Sequence, residues 1–126
     1  MASILVIDDN EPVRGFLRAV LEGQGHTVTE ASQGRLAVQR LRQVPVDLVL
    51  TDIYMPDCDG LEVIMTLRRE FPSIKIVAMS GGSGDRNLLV VARQLGAQEV
   101  LEKPINVADL LNIVAAALGD GPGTGA

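Results

Sequence analysis

Aromatic and cysteine residues are scarce in this chain. Tyr, Phe and Trp together make up 2% of its 126 residues, so its core must be built from aliphatic side chains. Its single cysteine, Cys58, excludes an internal disulfide and is typical of a reducing compartment, which predicts a cytoplasmic protein. Hydrophobic residues at 47% and charged residues at 21% are typical of one globular domain rather than of a disordered chain.

The chain also lacks an excess of basic residues and a long apolar run. Its 11 Lys and Arg against 16 Asp and Glu give a net charge of -5, which argues against a nucleic-acid-binding surface. No apolar run approaches the roughly 20 residues that span a bilayer. The N-terminal residues match neither a secretory signal nor a transit peptide. We therefore expect a domain that binds neither nucleic acid nor a membrane.

The most informative segment is residues 47–52. Leu48, Val49 and Leu50 are apolar at consecutive positions, so both faces of the segment should be buried, as in the central strand of a parallel sheet. Asp52 follows directly, where this buried strand ends. In open α/β sheets, ligands bind outside the carboxyl ends of the strands, so Asp52 is a candidate functional residue.

Short apolar runs alternate with amphipathic segments along the whole chain. We predict strands over residues 4–7, 26–31, 47–52, 74–79 and 99–102. Helices are predicted after Asn10, over 34–44, from Gly60 to before Pro72, over 86–95 and over 107–118. This alternation with short connections predicts right-handed crossovers and a parallel sheet in residues 1–119. The Gly-rich residues 120–126 predict a flexible tail.

Polar side chains follow four of the predicted strands, at the point where each strand ends. Asp8 and Asp9 follow the first strand, Asp52 ends the third, Ser80 follows the fourth and Lys103 follows the fifth. Each residue alone has an ordinary explanation, as a helix cap, a turn residue or a surface lysine. A parallel sheet brings the carboxyl ends of its strands to one edge, so we expect these side chains to lie together.

Such a cluster suits a metal ion and a phosphoryl group. Neighbouring carboxylates raise one another's pKa, and a hard divalent cation such as Mg²⁺ relieves that repulsion. The Lys103 ammonium and the Ser80 hydroxyl suit the remaining oxygens of a phosphoryl group. The only histidine, His26, begins a strand at the opposite edge and is predicted to be a surface residue.

The order and spacing of these residues resemble the receiver domains of bacterial two-component response regulators, including the chemotaxis-type single-domain regulators. The resemblance covers residues 3–118. The shared motifs are Asp8-Asp9, Asp52 with Met55-Pro56 and Asp59-Gly60-Leu61, Ser80, Gly96-Ala97 and Lys103-Pro104. The resemblance implies a flavodoxin-like, doubly wound α/β fold, with a five-stranded parallel sheet in the order 2-1-3-4-5 and five helices.

The resemblance also implies a role for each site residue. Asp52 would accept a phosphoryl group from the histidine of a sensor histidine kinase or phosphotransfer protein, and Ser80 and Lys103 would contact that group. Mg²⁺ would be bound by Asp9, Asp52 and the main-chain carbonyl of Tyr54, with Asp8 acting through water. Such a domain is a phosphoacceptor rather than an enzyme, because it promotes only its own phosphorylation and dephosphorylation. Its product state switches partner binding in signal transduction.

The chain departs from the family pattern near the predicted output surface. Val100 stands where the family usually has an aromatic residue, three positions before the lysine, and a Gly-rich run, residues 81–84, follows Ser80. We therefore predict that the signal travels as a displacement of the helix over residues 86–95. The moved surface would bind a downstream partner or a second copy of the chain, and it comprises Leu89, Val90, Arg93 and Val100.

Two other functions remain open from the sequence. A metal-dependent phosphohydrolase would also need clustered aspartates, but it would favour a second acid two positions after the nucleophile, where Tyr54 stands. An interaction module that works without phosphorylation would share the fold, and Val100 keeps that possibility open. Cys58 near Asp52 is either a redox-active thiol or, as we favour, a small residue that fills the loop.

Overall fold

A computed structural model of the chain describes residues 2–53, 60–81 and 86–119, with the side chains of 86–89 left out. Several predicted features lie outside this description. They are the Tyr54 metal ligand, Met55-Pro56, Cys58, Asp59, the Gly-rich run after Gly81, the side chains of Leu88 and Leu89, and the predicted tail over residues 120–126.

Strands and helices alternate strictly along the described residues, as the sequence predicts. The strands are β1 (Ser3–Ile7), β2 (Thr27–Ala31), β3 (Leu48–Asp52), β4 (Lys75–Ser80) and β5 (Glu99–Glu102). The helices are α1 (Glu11–Gly23), α2 (Gly34–Gln43), α3 (Gly60–Glu70), α4 (Arg86–Leu95) and α5 (Val107–Ala117). All neighbouring strands pair in parallel, in the order β2-β1-β3-β4-β5, so the predicted flavodoxin-like fold is confirmed.

The sheet separates two apolar cores, which explains the continuous apolar runs of the central strands. Successive side chains of a strand point to opposite faces, so a strand that is covered on both faces needs no alternation of polarity. One core lies under α2, α3 and α4 and includes Leu5, Ile7, Val49, Ile76 and Ala78. The other lies under α1 and α5 and includes Ile4, Val6, Leu48, Leu50 and Val77.

The ends of the elements differ from prediction by about one residue, and α1 and α5 begin where predicted, each directly after its N-cap. The side chain of Asn10 accepts the Val13 N–H as the N-cap of α1. Asn106 caps α5 in the same way, by accepting the N–H groups of Ala108 and Asp109. His26 lies just before β2 at the amino edge and is partly buried, with its Nδ1 accepting the Ala2 N–H at 3.1 Å.

The described side chains of helix α4 place Val90 and Arg93, two members of the predicted output surface, on its exposed side. Ala92 is fully buried, Leu95 packs against the core, and Val90 on the other side is 55% exposed. Val100 on β5 is half-buried and packs against the same core, so only part of it contributes to the predicted surface. Among the described residues, the helices are too short or too polar to cross a membrane.

Candidate functional site

The predicted site residues come to the carboxyl edge because of the strand order. β1 and β3 are adjacent central strands, and Ile7 pairs with Thr51, so Asp8 and Asp52 follow at the same level. Ser80 ends β4 and pairs with Glu102 of β5, and Lys103 follows directly. The sequence prediction that these strand ends meet is therefore correct for the residues that the structure describes.

Lys103 joins the two buried carboxylates of the site. Its Nζ donates to Asp8 Oδ2 at 2.7 Å and to Asp52 Oδ2 at 2.9 Å. Asp8 is fully buried and Asp52 is 4% exposed, while the lysine side chain is 20% exposed. Because β4 separates β5 from β3, the lysine side chain reaches across the end of β4 to the central strands.

The carboxylates outnumber the cation in this cluster. Oxygens of Asp8, Asp9 and Asp52 lie within 4.8 Å of one another, and Asp9 is exposed. Burial lowers the pKa of Lys103, but the hydrogen bonds and charges of Asp8 and Asp52 outweigh it, so the net pKa lies above its ordinary value. Lys103 is therefore a cation at neutral pH. Three carboxylates against one ammonium leave the cluster with a formal excess of two negative charges.

The donor set of the cluster fits a hard divalent cation. All the candidate ligand atoms are carboxylate oxygens, which Mg²⁺ prefers over nitrogen or sulfur. Mg²⁺ keeps several waters and binds through one or two carboxylates plus phosphate oxygens, so an open cluster with one exposed member suits it better than a closed cage. Asp8, Asp9 and Asp52 thus form an acidic pocket whose oxygen atoms suit Mg²⁺.

Hydrogen bonds hold Asp8 at three further points. Its Oδ1 accepts the Asn10 N–H at 2.9 Å, and its own N–H donates to the Ala31 carbonyl at 3.2 Å. Its carbonyl oxygen accepts Nη1 of Arg14 at 2.6 Å. Sequence reasoning missed Arg14, because a polar residue in the first turns of an amphipathic helix is usually a solvated one.

Gly60 allows α3 to begin directly against the end of β3. A Cβ atom at this position would overlap the Asp52 carbonyl oxygen and the Ile53 Cα. The Gly60 N–H donates to the Ile53 carbonyl at 3.3 Å, which connects the two elements. The sequence shows Gly60 only as part of a motif, whereas the structure gives the steric reason for a residue without a side chain.

Ser80 lies at the same edge, at the end of β4, and its main chain bonds that of Lys103. The residue is 1% exposed, and its carbonyl accepts the Lys103 N–H at 2.8 Å. This bond connects the backbone of the serine to that of the lysine whose side chain holds Asp8 and Asp52. Tyr54, the remaining predicted metal ligand, lies outside the described residues.

Comparisons with known proteins agree with this geometry. CpdR of Brucella abortus, a response regulator receiver protein, is 34% identical over 117 residues, which cover 89% of this chain and 92% of CpdR. The CAI-1 autoinducer sensor kinase/phosphatase CqsS of Vibrio cholerae is 36% identical over 116 residues, which cover 90% of this chain but 17% of CqsS. The chain spans less than half the length of several other curated relatives.

Structural similarity extends to an activated receiver. The beryllofluoride-activated NtrC4 receiver domain dimer matches with a TM-score of 0.86 at 31% identity, over 94% of this chain and 97% of that chain. The family model described as the response regulator receiver domain matches residues 4–115. The chain therefore belongs to the receiver domain family of two-component response regulators.

Proposed function

We propose that this domain accepts a phosphoryl group on Asp52 and that the modified domain switches partner binding in two-component signal transduction. The observation that carries the proposal is the position of Lys103 Nζ, which bonds both Asp8 Oδ2 and Asp52 Oδ2 beside a third carboxylate. The carboxylate of Asp52 lies beside a fixed ammonium, and the excess negative charge of the cluster favours a divalent cation. Such a site is suited to phosphoryl transfer, where neutralisation of charge matters more than base catalysis.

Asp52 would act as the nucleophile. One of its carboxylate oxygens forms a bond to phosphorus, and the bond from phosphorus to the donor's imidazole nitrogen breaks, with the imidazole then taking a proton from water. Lys103 already donates to Asp52 Oδ2, so its ammonium is within reach of an oxygen of the incoming phosphoryl group. The Ser80 hydroxyl, at the buried end of β4, is proposed as a second donor to that group.

Asp8, Asp9 and Asp52 would hold the divalent cation, together with the Tyr54 carbonyl from outside the described residues. When it is bound, Mg²⁺ neutralises charge on the transferred phosphoryl oxygens. The protein would fix the position of the cation, because Asp8 and Asp52 are buried and are both bonded by Lys103. The sequence has Tyr54 where a phosphohydrolase would favour a second acid, two positions after the nucleophile, so the domain is proposed to be a phosphoacceptor rather than a phosphohydrolase.

A mostly apolar groove beside Lys103 is proposed as the docking site of the phosphodonor protein. It is lined by Pro12, Val13, Phe16, Lys103, Pro104 and Ile105, and Phe16 is 39% exposed. A sensor histidine kinase or phosphotransfer protein could place an apolar helix there while its histidine approaches Asp52. This encounter is proposed to occur in the cytoplasm.

The output surface is proposed to lie on α4 and β5. Phosphorylation replaces the single negative charge of the Asp52 carboxylate with about two on the phosphoryl group, and the Lys103 ammonium would move with that charge. The Lys103 N–H bonds the Ser80 carbonyl, so its movement would pull on the end of β4 and on α4 beyond it. Arg93 of α4 bonds the Gln98 carbonyl at 3.3 Å and pairs with Glu99 at 3.6 Å, which couples α4 to β5.

The moved surface would comprise Val90, Arg93, the exposed part of Val100, and Leu89, whose side chain lies outside the described part of the structure. It would bind a downstream partner or a second copy of the chain. Amide chemical shifts with and without beryllofluoride test this route. Shifts should extend over residues 86–95 and 98–100, and changes confined to residues near Asp52 would rule it out.

The acceptor is tested by intact-mass measurement after incubation with a small acyl phosphate. The wild-type domain should gain one phosphoryl group in the presence of Mg²⁺ and none in the presence of a chelator. Asp52→Asn should gain none, because the amide oxygen is not a competent nucleophile. Asp47→Asn is the matched control, since Asp47 is an exposed aspartate that bonds the Ser3 N–H, and it should be modified like the wild type. Failure of the wild type to react would favour an interaction module that works without phosphorylation.

A further inference from the structure

Arg14 joins the acidic site to a strand that contributes no residue to it. Its Nη1 donates to the Asp8 carbonyl oxygen at 2.6 Å, and its Nε donates to Glu30 Oε1 of β2 at 3.0 Å. The arginine side chain is only 14% exposed and that of Glu30 is 26% exposed. The two nitrogens of one rigid guanidinium thus connect the end of β1 to β2 with little freedom left.

The contact with the Asp8 carbonyl controls a specific peptide plane. That carbonyl belongs to the peptide bond between Asp8 and Asp9, and a peptide unit is planar, so fixing its oxygen fixes the orientation of the whole unit. Asp8 is buried and has other bonds, but Asp9 is exposed, so packing does little to hold its carboxylate. The direction in which the Asp9 side chain points therefore depends on the orientation of the peptide unit that Arg14 holds.

Arg18 provides an internal comparison on the same helix. It donates to Glu30 Oε2 at 2.7 Å and also to Glu22 at 3.1 Å, and its side chain is 42% exposed. Both arginines thus pair with Glu30 and attach α1 to β2. The two arginines differ in that Arg14 also donates a hydrogen bond to the Asp8 carbonyl oxygen.

We infer that Arg14 is a positioning residue, which holds the peptide between Asp8 and Asp9 so that both carboxylates face a divalent cation. This role rests on the proposed function of the site. Glu30 orients the guanidinium for the task, and the Arg14–Glu30 pair adds no net charge beside the acidic cluster. The arginine would thus support cation binding from a position where it contacts no bound cation.

Electrostatics and positioning predict opposite effects when Arg14 is replaced. A positive charge near the site repels a divalent cation, so Arg14→Met should strengthen Mg²⁺ binding if charge alone matters. If Arg14 acts by holding the peptide plane, the same substitution should weaken Mg²⁺ binding. The direction of the change therefore separates the two explanations, whatever its size.

The experiment is a Mg²⁺ titration of the whole domain by calorimetry, for the wild type and three variants. Arg14→Met should weaken binding about tenfold, which is the lower end of the effect of residues that orient metal ligands. Arg14→Lys keeps the charge but offers one nitrogen in place of the two that bond Glu30 and the Asp8 carbonyl, so its Mg²⁺ affinity should fall between those of Arg14→Met and the wild type. Arg18→Met, the matched control, should bind within about twofold of the wild type.

Amide spectra of the metal-free variants provide a second readout. The Asn10 amide bonds Asp8 Oδ1, so its chemical shift should change in Arg14→Met and stay unchanged in Arg18→Met. Arg14→Lys keeps this test usable if Arg14→Met does not fold, because it preserves an ion pair with Glu30.

The possible outcomes separate this inference from the proposed function. If the wild type binds Mg²⁺ and Arg14→Met binds it equally well or better, the positioning role is wrong while the proposed function stands. An equal loss in Arg14→Met and Arg18→Met would also contradict it, because that loss would come from detaching α1 from β2. If the wild type itself binds no Mg²⁺, both the proposed function and this inference fail.

Discussion

The two edges of the sheet use their polar side chains differently. At the amino edge, three described side chains satisfy main-chain groups at or beside a strand end, and the charged pair of Arg93 and Glu99 there is partly exposed. Asp47 accepts the Ser3 N–H at 2.8 Å, Gln98 accepts the Ile76 N–H at 2.7 Å, and Arg68 donates to the Ile74 carbonyl at 2.7 Å. These side chains complete the hydrogen bonding that the ends of the strands leave unfinished.

At the carboxyl edge, charged side chains face one another. Asp8 and Asp52 are buried against one lysine, and Asp9 adds a third carboxylate within 4.8 Å. Burying charges is unfavourable unless they are fully paired, and this cluster keeps an excess of negative charge. An arrangement that does not maximise stability is typical of a functional site. The contacts of the amino edge thus complete hydrogen bonds of the fold, whereas the carboxyl edge holds the residues of the proposed chemistry.

The largest expected effect comes from removing the cation of the carboxyl edge. Lys103→Met should lower the free energy of unfolding by about 3 kcal/mol in the absence of metal, because it removes the ammonium that neutralises two buried carboxylates. Mg²⁺ should restore much of that loss, since it replaces the missing positive charge. Denaturant unfolding with and without Mg²⁺ measures both effects. A variant as stable as the wild type without Mg²⁺ would show that the lysine is not needed to balance these charges.

A side chain at Gly60 should disturb the same edge sterically. Gly60→Ala should lower the free energy of unfolding by about 2 kcal/mol, because the methyl group overlaps main-chain atoms of Asp52 and Ile53 that cannot easily move. It should also slow phosphoryl uptake by displacing the acceptor. Gly15 is the matched control, because it lies in α1 and a Cβ there would meet no described atom within 4 Å apart from those of its own helix backbone and chain neighbours. Gly15→Ala should stabilise the domain by roughly 0.5–1 kcal/mol and leave uptake unchanged.

A substitution at the amino edge should affect stability but not chemistry. Gln98→Ala leaves the buried Ile76 N–H without its acceptor, so the free energy of unfolding should fall by about 1 kcal/mol. The rate of phosphoryl uptake should not change. If uptake slowed as much as in Gly60→Ala, the division of roles between the two edges would be wrong.

The smallest expected effect is a pH dependence at Glu30. The bond from Arg18, with a smaller contribution from Arg14, holds the pKa of Glu30 below its ordinary value, against the opposing effect of burial. Its contribution to stability is therefore present above pH 4.5, the ordinary pKa, and is lost as the pH falls through the lower folded-state pKa. Glu30→Gln should cost less than about 1 kcal/mol at neutral pH.

Unfolding curves measured between pH 7 and acid check this direction. The stability difference between wild type and Glu30→Gln should shrink as the pH falls. A difference that grows in acid would reverse the sign expected from the lowered pKa of Glu30.

The sequence predicts the fold well because apolar runs and helix caps are local signals. Continuous apolar residues in β3 indicated a strand buried on both faces, and the alternation of elements then indicated which strand ends would meet. Asp8, Asp52 and Lys103 could be predicted as a group for that reason. The contacts of Arg14 and Gly60 could not, because both depend on distances between elements that periodicity does not contain. Neither could the partial burial of Val100, which depends on how α4 packs against β5.

The central claim is that Asp52 is the residue that forms the acyl phosphate. Borohydride reduction tests it most directly, because it converts a phosphorylated aspartate to homoserine, which peptide mass spectrometry can locate. After treatment with a small acyl phosphate and Mg²⁺, the account predicts homoserine at position 52 and at no other position. Homoserine at position 8 or 9, or a phosphate on Ser80 with position 52 unchanged, would contradict it.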